Sequence, residues 1–577
     1  MTDAVTDGPA LMTAPTAGPT VDPGVRGGQG GDLQRALPLL APIAVVAAAC
    51  LLPVVELWRA PGSPMEEGFM LTFPELVLGG QVPNRDFLHL YGPGSLWVLA
   101  GVFKVFGTTL ATERVVGLLQ LLGVVFGVFA LVRPWGRWVA AAGGVMTAVV
   151  LLPPAGFVAM AWPGGLALGL WALTAALAGR TAPTSSRRRG RLFVGAGVLA
   201  GAALLYRPDL AAAIGLSAVV LWWGLDRGAR LRLAGGVAIG LAPYAIHLAT
   251  AGVGNVVDGL ILEPVFELRA GRSLPFPPSW SHFDGFLQRV GALIEPAWPL
   301  PAPASPAQLT LWVSLLLAAT AALVAAGIAA ARRGDRRLLV MALFCVGLLP
   351  QAIQRADSTH LAWVSCVPLG MLPAAVIEAQ RAWRPAWPRR RTAAVAAAVP
   401  VAATLALAPT FVWGVYGDYV GRSFGVDPIE AGTMRRGERT FRYGRLEAVA
   451  AVNAMLPELE RIAEPGDTLF VGPVDLRRTN YSEAYLYYLM PELEPATRYI
   501  EMDPGIANAD GSGMADELRR ADVVVLSSIY ANWDEPNDSR KFGPNEPNEV
   551  IDEEFCLIES YGDGYRGRGL FELYRHC

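Results

Sequence analysis

Ser63-Pro-Met-Glu66-Glu67-Gly68 stands just beyond an apolar run at residues 36–55, and Pro83-Asn-Arg85-Asp86-Phe-Leu-His89-Leu-Tyr91-Gly-Pro-Gly94 follows it closely. A run of that length can cross a bilayer as a helix. Two adjacent glutamates at its far end are costly to hold near lipid, so they ask for a reason. Working outward, ten more apolar stretches occupy residues 110–132, 137–153, 162–179, 192–206, 208–225, 231–252, 308–331, 338–354, 360–378 and 392–414. The pattern predicts a polytopic α-helical membrane protein of about eleven spans.

Composition agrees. Hydrophobic residues make up 53% of 577 positions and charged residues 17%, with mean hydropathy +0.38; soluble domains carry about 25% charged residues. The charge is unevenly spread. From residue 415 onward there are 30 acidic and 17 basic side chains, against 20 and 30 in the part before it. An acidic tail argues against nucleic acid as a partner. Residues 1–34 are rich in Gly, Pro, Thr and Asp without apolar periodicity, and are predicted to be disordered.

Basic loops set the predicted orientation. Arg133 with Arg137, Arg187 to Arg191, Arg227 with Arg230 and Arg232, Arg332-Arg333 with Arg336-Arg337, and Arg381 to Arg391 occupy alternate connections. Together with Arg26 and Arg35 they all become cytoplasmic if residues 95–107, short and carrying Lys104, lie in the interface without crossing. The N-terminus is then cytoplasmic. The first loop 56–109, the turns 206–209 and 354–360, the loop 253–307 and the tail 415–577 are all outside.

Those outer connections hold most of the unusual polar residues of the membrane part. The first loop offers Glu66, Glu67, Arg85, Asp86, His89 and Tyr91. One turn reads Tyr206-Arg207-Pro208-Asp209, another Gln354-Arg355-Ala-Asp357-Ser-Thr-His360, and the long loop adds Glu263, Glu267, Arg269 and Arg272. Carboxylates and guanidiniums at one membrane face suit transfer of a group from a lipid phosphate. Arginine forks stabilise the departing phosphate, and a carboxylate takes the proton of the attacking hydroxyl. Arg207 and Arg355, each ending a span, are the phosphate candidates. Glu66, Glu67 and Asp86 are the base candidates, with Arg85, His89, Tyr91, Asp209, Asp357 and His360 around the substrate. Each residue also has a plainer reading. Arginine at a span end anchors in the interface, Arg-Pro-Asp makes a turn, and acids favour a helix start. Co-location carries the functional reading.

The first loop resembles that of the GT-C glycosyltransferases, multispan enzymes that take sugars from polyprenyl-phosphate carriers, such as protein O-mannosyltransferases and lipid A aminoarabinose transferases. Many of them carry an Asp-Glu pair soon after the first span. An amphipathic helix follows, then a Gly-x-Pro-x-x-Asp segment and a Pro-Gly or Pro-Pro turn. The counterparts here are Glu66-Glu67-Gly68, Gly80-Gln-Val-Pro83-Asn-Arg85-Asp86-Phe87 and Gly92-Pro93-Gly94, within about 60–180. Glu66 departs from the pattern, standing where aspartate is usual. The resemblance implies a GT-C-like transmembrane domain over 35–414 and an extracytoplasmic α/β domain over 415–577. It implies an inverting glycosyltransferase of the cytoplasmic membrane, with a polyprenyl-phosphate sugar as donor. The acceptor would be an envelope glycan, lipid or protein on the outer face. A divalent metal stays open, because the three carboxylates serve an ion as readily as a proton. The rivals are a transporter or flippase, a non-catalytic envelope scaffold, and a ligase for lipid-linked oligosaccharides.

In the tail, an apolar stripe predicts a helix over 445–463, followed by a strand at 468–472, a helix around 481–490, a strand at 498–502 and a helix at 513–521. Strands at 522–527, 554–560 and 569–574 complete a small α/β layer. The polar stretch 533–549 reads as a loop, solvated or, as the alternative, acceptor-binding. Cys556 and Cys577 lie in this domain and pair only if it faces an oxidising compartment.

Overall fold

The computed structural model describes residues 30–62, 64–154, 156–276, 306–383, 388–406, 411–428, 430–479, 481–531 and 535–577. Most of the stretch predicted to be disordered, and residues 277–305 of the outer loop, lie outside these. Residues 30–41 belong to a unit of their own, and the described residues from Pro42 to Cys577 form one compact body.

Eight described helices are long and apolar enough to cross a membrane, beginning with Leu40–Arg59 and ending with Ser358–Trp383. This makes the chain a multi-pass membrane protein. Three of the eleven predicted stretches fall short of that length. Arg137–Leu151 and Pro208–Trp222 are shorter apolar helices. The last stretch becomes an alanine-rich helix, Arg389–Leu405, followed by a separate helix Phe411–Ser423. Gly94–Phe106 is a helix of 13 residues, too short to cross unaided.

Backbone proximity fixes the part of the bundle that matters for the site. Helix Arg187–Tyr206 lies against Arg227–Leu241 along paired glycines, where a Cβ on Gly197 would stand 2.2 Å from the Leu233 carbonyl oxygen. Gly201, Gly236 and Gly240 complete the seam, with Gly240 as close to Val198. Without a hydrophobic force between helices in lipid, such small-residue stripes are what allow close packing. The seam holds the C-terminal end of Arg187–Tyr206, and with it the turn that carries Arg207.

The tail forms a mixed five-stranded sheet plus a hairpin. The hairpin pairs β1 (Gly432–Arg436) with β2 (Arg439–Tyr443) around Gly437, whose φ of 55° favours glycine. In the sheet, β3 (Thr468–Pro473) runs parallel to both β4 (Glu494–Pro495) and β5 (Val523–Ser527). Antiparallel β7 (Gly569–His576) and β6 (Phe555–Asp563) follow, giving the order β4-β3-β5-β7-β6. Every residue of β5 is buried, as expected of a strand covered on both faces. A disulfide joins Cys556 to Cys577.

Two expectations for the tail are corrected and one element is new. Residues 498–502 form turns, and the parallel neighbour of β3 is the two-residue β4; Met502 sits at φ 52°, which ends extended structure. Helix Glu546–Glu554 occupies the end of the supposed loop 533–549. The hairpin was not foreseen: Arg435, Arg436, Glu438 and Arg439 hide an alternation in which only Met434, Phe441 and Tyr443 are deeply buried.

This domain packs on the first outer loop. Met65, Phe69, Leu71 and Phe73 of helix Pro64–Leu78 share one apolar core with Tyr485, Leu486 and Leu489 of the tail. Thr72 donates to the Ala484 carbonyl at 3.0 Å, and Arg439 forks onto Glu75 at 2.5 and 2.7 Å. A Cβ on Gly68 would come within 2.9 Å of the Tyr485 nitrogen, so glycine is what lets the surfaces meet.

Candidate functional site

The first turn of helix Pro64–Leu78 carries both Glu66 and Glu67. Successive helix positions are about 100° apart, so the two carboxylates must face different surroundings. Glu67 turns inward to Arg114, with Nε–Oε1 at 2.7 Å and Nη2–Oε2 at 2.9 Å. Both side chains are buried, and Arg114 also donates to the Trp58 carbonyl. A Cβ on Gly62 would stand 2.7 Å from the Glu67 carboxylate. Glu66 is half-buried and faces a small chamber of about 50 Å³ with Phe69, Phe73, His89, Trp363 and Glu501.

Asp86 takes a different position from the one expected of a base. Its Oδ2 accepts from the Val82 nitrogen at 2.7 Å, and Arg85 forks onto it at 2.8 Å. The Arg85 hydrogen bonds hold this carboxyl below its ordinary value, against the smaller opposing effect of burial. Arg85 also donates to the Thr250 carbonyl at 3.2 Å, and neither residue lines the chamber of Glu66 or the larger cavity beside it. Asp86 and Arg85 shape the loop.

Next to them Asn84, at φ 65°, donates to the His89 carbonyl at 2.7 Å and meets His247 at 2.9 Å. His89 packs edge-on against Phe73 and Tyr91. Burial first, then His247 and Arg207, push its imidazole down to about 3, so it is neutral. Neither ring nitrogen has a hydrogen-bond partner among the described residues.

The larger cavity, about 380 Å³, is lined on its polar side by Tyr91, Arg207, Asp209, Arg272, Gln351, Arg355 and His360. Its other wall is Leu260, Pro264, Val265 and Leu268, from the π-helical segment Asp258–Glu267 and the turn after it. That segment also exposes Ile261, Leu262, Val265 and Phe266, so the cavity borders an apolar outer surface. Tyr91, Arg272 and His360 line both the cavity and the Glu66 chamber.

Two turns supply the arginines. Arg207 closes helix Arg187–Tyr206 with φ −142° and ψ 97°; Arg355 closes helix Arg337–Gln354 with φ −143° and ψ 96°. Each guanidinium reaches the aspartate two residues on. Arg207 grips Asp209 at 2.9 and 2.6 Å, and lies 4.3 Å over the Tyr91 ring and 5.0 Å from that of Trp162. Arg355 donates from Nε to Asp357 at 2.8 Å, and from Nη1 to both the Arg272 carbonyl and Glu535 at 2.8 Å. Its Nη2 closes a second, short bond to Glu535. Burial disfavours the Arg355 charge, but Glu535 and Asp357 outweigh it and raise its affinity for the proton. Asp357 in turn accepts from the His360 backbone at 2.9 Å and meets its Nδ1 at 2.8 Å.

Sequence reasoning missed the contribution of the tail. Glu535, placed in a supposed solvated loop, is fully buried against Arg355. Glu501 lines the Glu66 chamber; burial and then Asp503 push its carboxyl well above the ordinary range. Asp503 is also raised, by burial, and lies 3.3 Å from Arg272. No motif joins these acids to the first loop, and only the docking of the domain reveals them. Among the described residues, no group of three or more His, Cys, Asp or Glu is arranged to hold a metal ion.

No protein-family model and no curated protein matches this sequence. Structurally, the chain is similar to ArnT from Cupriavidus metallidurans bound to undecaprenyl phosphate, at 14% identity and TM-score 0.49, covering 93% of this chain and 98% of that one. It is also similar to the Archaeoglobus fulgidus oligosaccharyltransferase tethered with an acceptor peptide, at 11% identity and TM-score 0.45, covering 93% and 74%. Both are GT-C proteins. Scores at this level leave function to be argued from the site.

Proposed function

We propose that this protein is an inverting glycosyltransferase that moves a sugar from a polyprenyl-phosphate donor to an envelope glycan, lipid or protein. One observation carries the reading: an arginine-lined cavity bordering an apolar surface shares the wall Tyr91–Arg272–His360 with the chamber of Glu66. The lipid tail lies along the apolar helix of residues 258–267. The phosphate sits among Arg207, Arg272 and Arg355, and the sugar bridges to Glu66.

In the reaction, Glu66 takes the proton of the acceptor hydroxyl while its oxygen attacks the anomeric carbon from the face opposite the phosphate. The bond from that carbon to the phosphate oxygen breaks, and polyprenyl phosphate departs with one more negative charge. Fixed guanidiniums stabilise that charge where it develops. A single displacement inverts the configuration. The buried fork of Glu67 with Arg114 and the position of Asp86 outside the chamber support Glu66 as the base among the three candidates.

The alternate basic loops support an orientation with the N-terminus in the cytoplasm and the tail outside the cytoplasmic membrane. The Cys556–Cys577 disulfide fits an oxidising compartment for the tail.

The test is transfer of radiolabelled sugar from a mixed pool of polyprenyl-phosphate sugars to envelope extract by protein in nanodiscs. Glu66→Gln should lower kcat by roughly 10²–10⁴-fold, the usual worth of a general base, with the fold intact. Full activity in that variant, or no transfer by the wild type from any donor, would overturn the reading and favour a transporter or a scaffold.

A further inference from the structure

Arg355 is described above as a phosphate ligand, yet its hydrogen-bonding edges are already occupied. Asp357 takes Nε, the Arg272 carbonyl and Glu535 take Nη1, and Glu535 takes Nη2. Both carboxylates are fully buried. A phosphate added to this arrangement would set a third anion around one guanidinium in a place poorly screened by water. One carboxylate must therefore leave.

The two are not equally free to do so. Asp357 lies two residues from Arg355 in the same turn and caps helix Ser358–Trp383 through the His360 nitrogen. Removing it would undo the helix start. Glu535 comes from the tail domain, 180 residues away in sequence. It is steadied by Asn537, whose amide donates to Glu535 at 3.0 Å and to the Ser273 carbonyl at 3.1 Å. Its two oxygens take Nη1 and Nη2 of Arg355, the pair of donors that two phosphate oxygens would take in the same fork geometry.

We propose that Glu535 is a positioning residue for the donor: it holds the Arg355 fork ready in the unliganded site, and the phosphate group, diester in the donor and monoester in the polyprenyl phosphate product, displaces it on binding. The inference rests on the donor site proposed above. Displacement releases the contact of residues 535–539 with the membrane part, so donor binding and the seating of this tail loop compete. It also ties release of the lipid phosphate product to the return of Glu535.

The experiment measures binding of polyprenyl phosphate in nanodiscs, and of inorganic phosphate, to the full chain, with polyprenol as the control. Glu535→Gln removes the competing charge and should tighten polyprenyl phosphate by roughly tenfold, within the ordinary range for coupling between two groups. In transfer assays it should lower donor KM and strengthen product inhibition, where a merely structural role would weaken both. Asn537→Ala loosens the loop without altering charge and should tighten binding by a smaller factor. It serves as the test if the first variant fails to fold. Tightening of both phosphates, or of the lipid alone, supports the displacement. Unchanged or weaker binding of both in a folded variant overturns it. A protein that binds polyprenyl phosphate more tightly as Glu535→Gln, yet transfers no sugar as wild type, would keep this inference and lose the enzymatic one.

Discussion

The turns Arg207-Pro208-Asp209 and Arg355-Ala356-Asp357 have nearly the same backbone, and each arginine reaches the aspartate two residues on, but their surroundings are opposite. Arg207 has one carboxylate partner, 44% exposed, and stacks on Tyr91 and Trp162. Arg355 has two, both fully buried, one of them delivered by a different domain. An identical local motif thus yields a guanidinium open to an anion in one case and a loaded one in the other. What decides is the third partner, which no local pattern records.

The largest effect that would sharpen this contrast is on stability. Arg355→Ala strands Asp357 and Glu535 without their cation and should cost about 3–5 kcal/mol, as breaking buried ion pairs does; thermal unfolding in detergent measures it. Arg207→Ala, losing only a half-exposed partner, should leave the melting temperature within a few degrees. Equal losses in both would erase the distinction. Next comes donor recognition: Arg207→Ala should raise donor KM by about 10²-fold at unchanged fold, since charge-assisted contacts to phosphate are worth roughly 1.5–3 kcal/mol each. A smaller shift is expected for Asp209→Asn, which frees the fork and should alter donor KM only a few-fold; a complete loss of activity there would give Asp209 a chemical role.

A further effect lies away from both turns and serves as their control. Burial raises the Glu483 carboxyl from 4.5 to about 8, with Tyr443 3.5 Å away. The folded protein therefore holds a proton that the unfolded chain releases, so this group makes stability fall as pH rises from 4.5 through about 8. Glu483→Gln should flatten that slope without touching donor binding. A slope that persists in the variant assigns it to another group.

Much of this was legible in the sequence. The apolar runs located most of the spans, and the sequence pattern marked β3, β5, β6 and β7 as strands. Arg207 and His360 stood out as candidates because the predicted topology gathers them with other charged groups at one membrane face, and both line the larger cavity. The choice between Glu66 and Glu67 was not legible, because adjacent helical residues differ by rotation alone, and only the position of Arg114 fixes that rotation. Glu501 and Glu535 were illegible for a different reason. Their chemistry arises from partners more than a hundred residues away, brought near by packing of Leu486 and its neighbours on Phe69 and Phe73.

That packing has a consequence for domain exchange. The helix bearing Glu66 is clasped by the tail through Thr72, Glu75 and the glycine at 68, while the tail returns Glu501 and Glu535 to the membrane part. Membrane part and tail thus fit each other as a matched pair in this chain. A chimera joining this bundle to the tail of a distant homologue would lose its fit at Gly68 and its counter-charge at Arg355 in a single exchange.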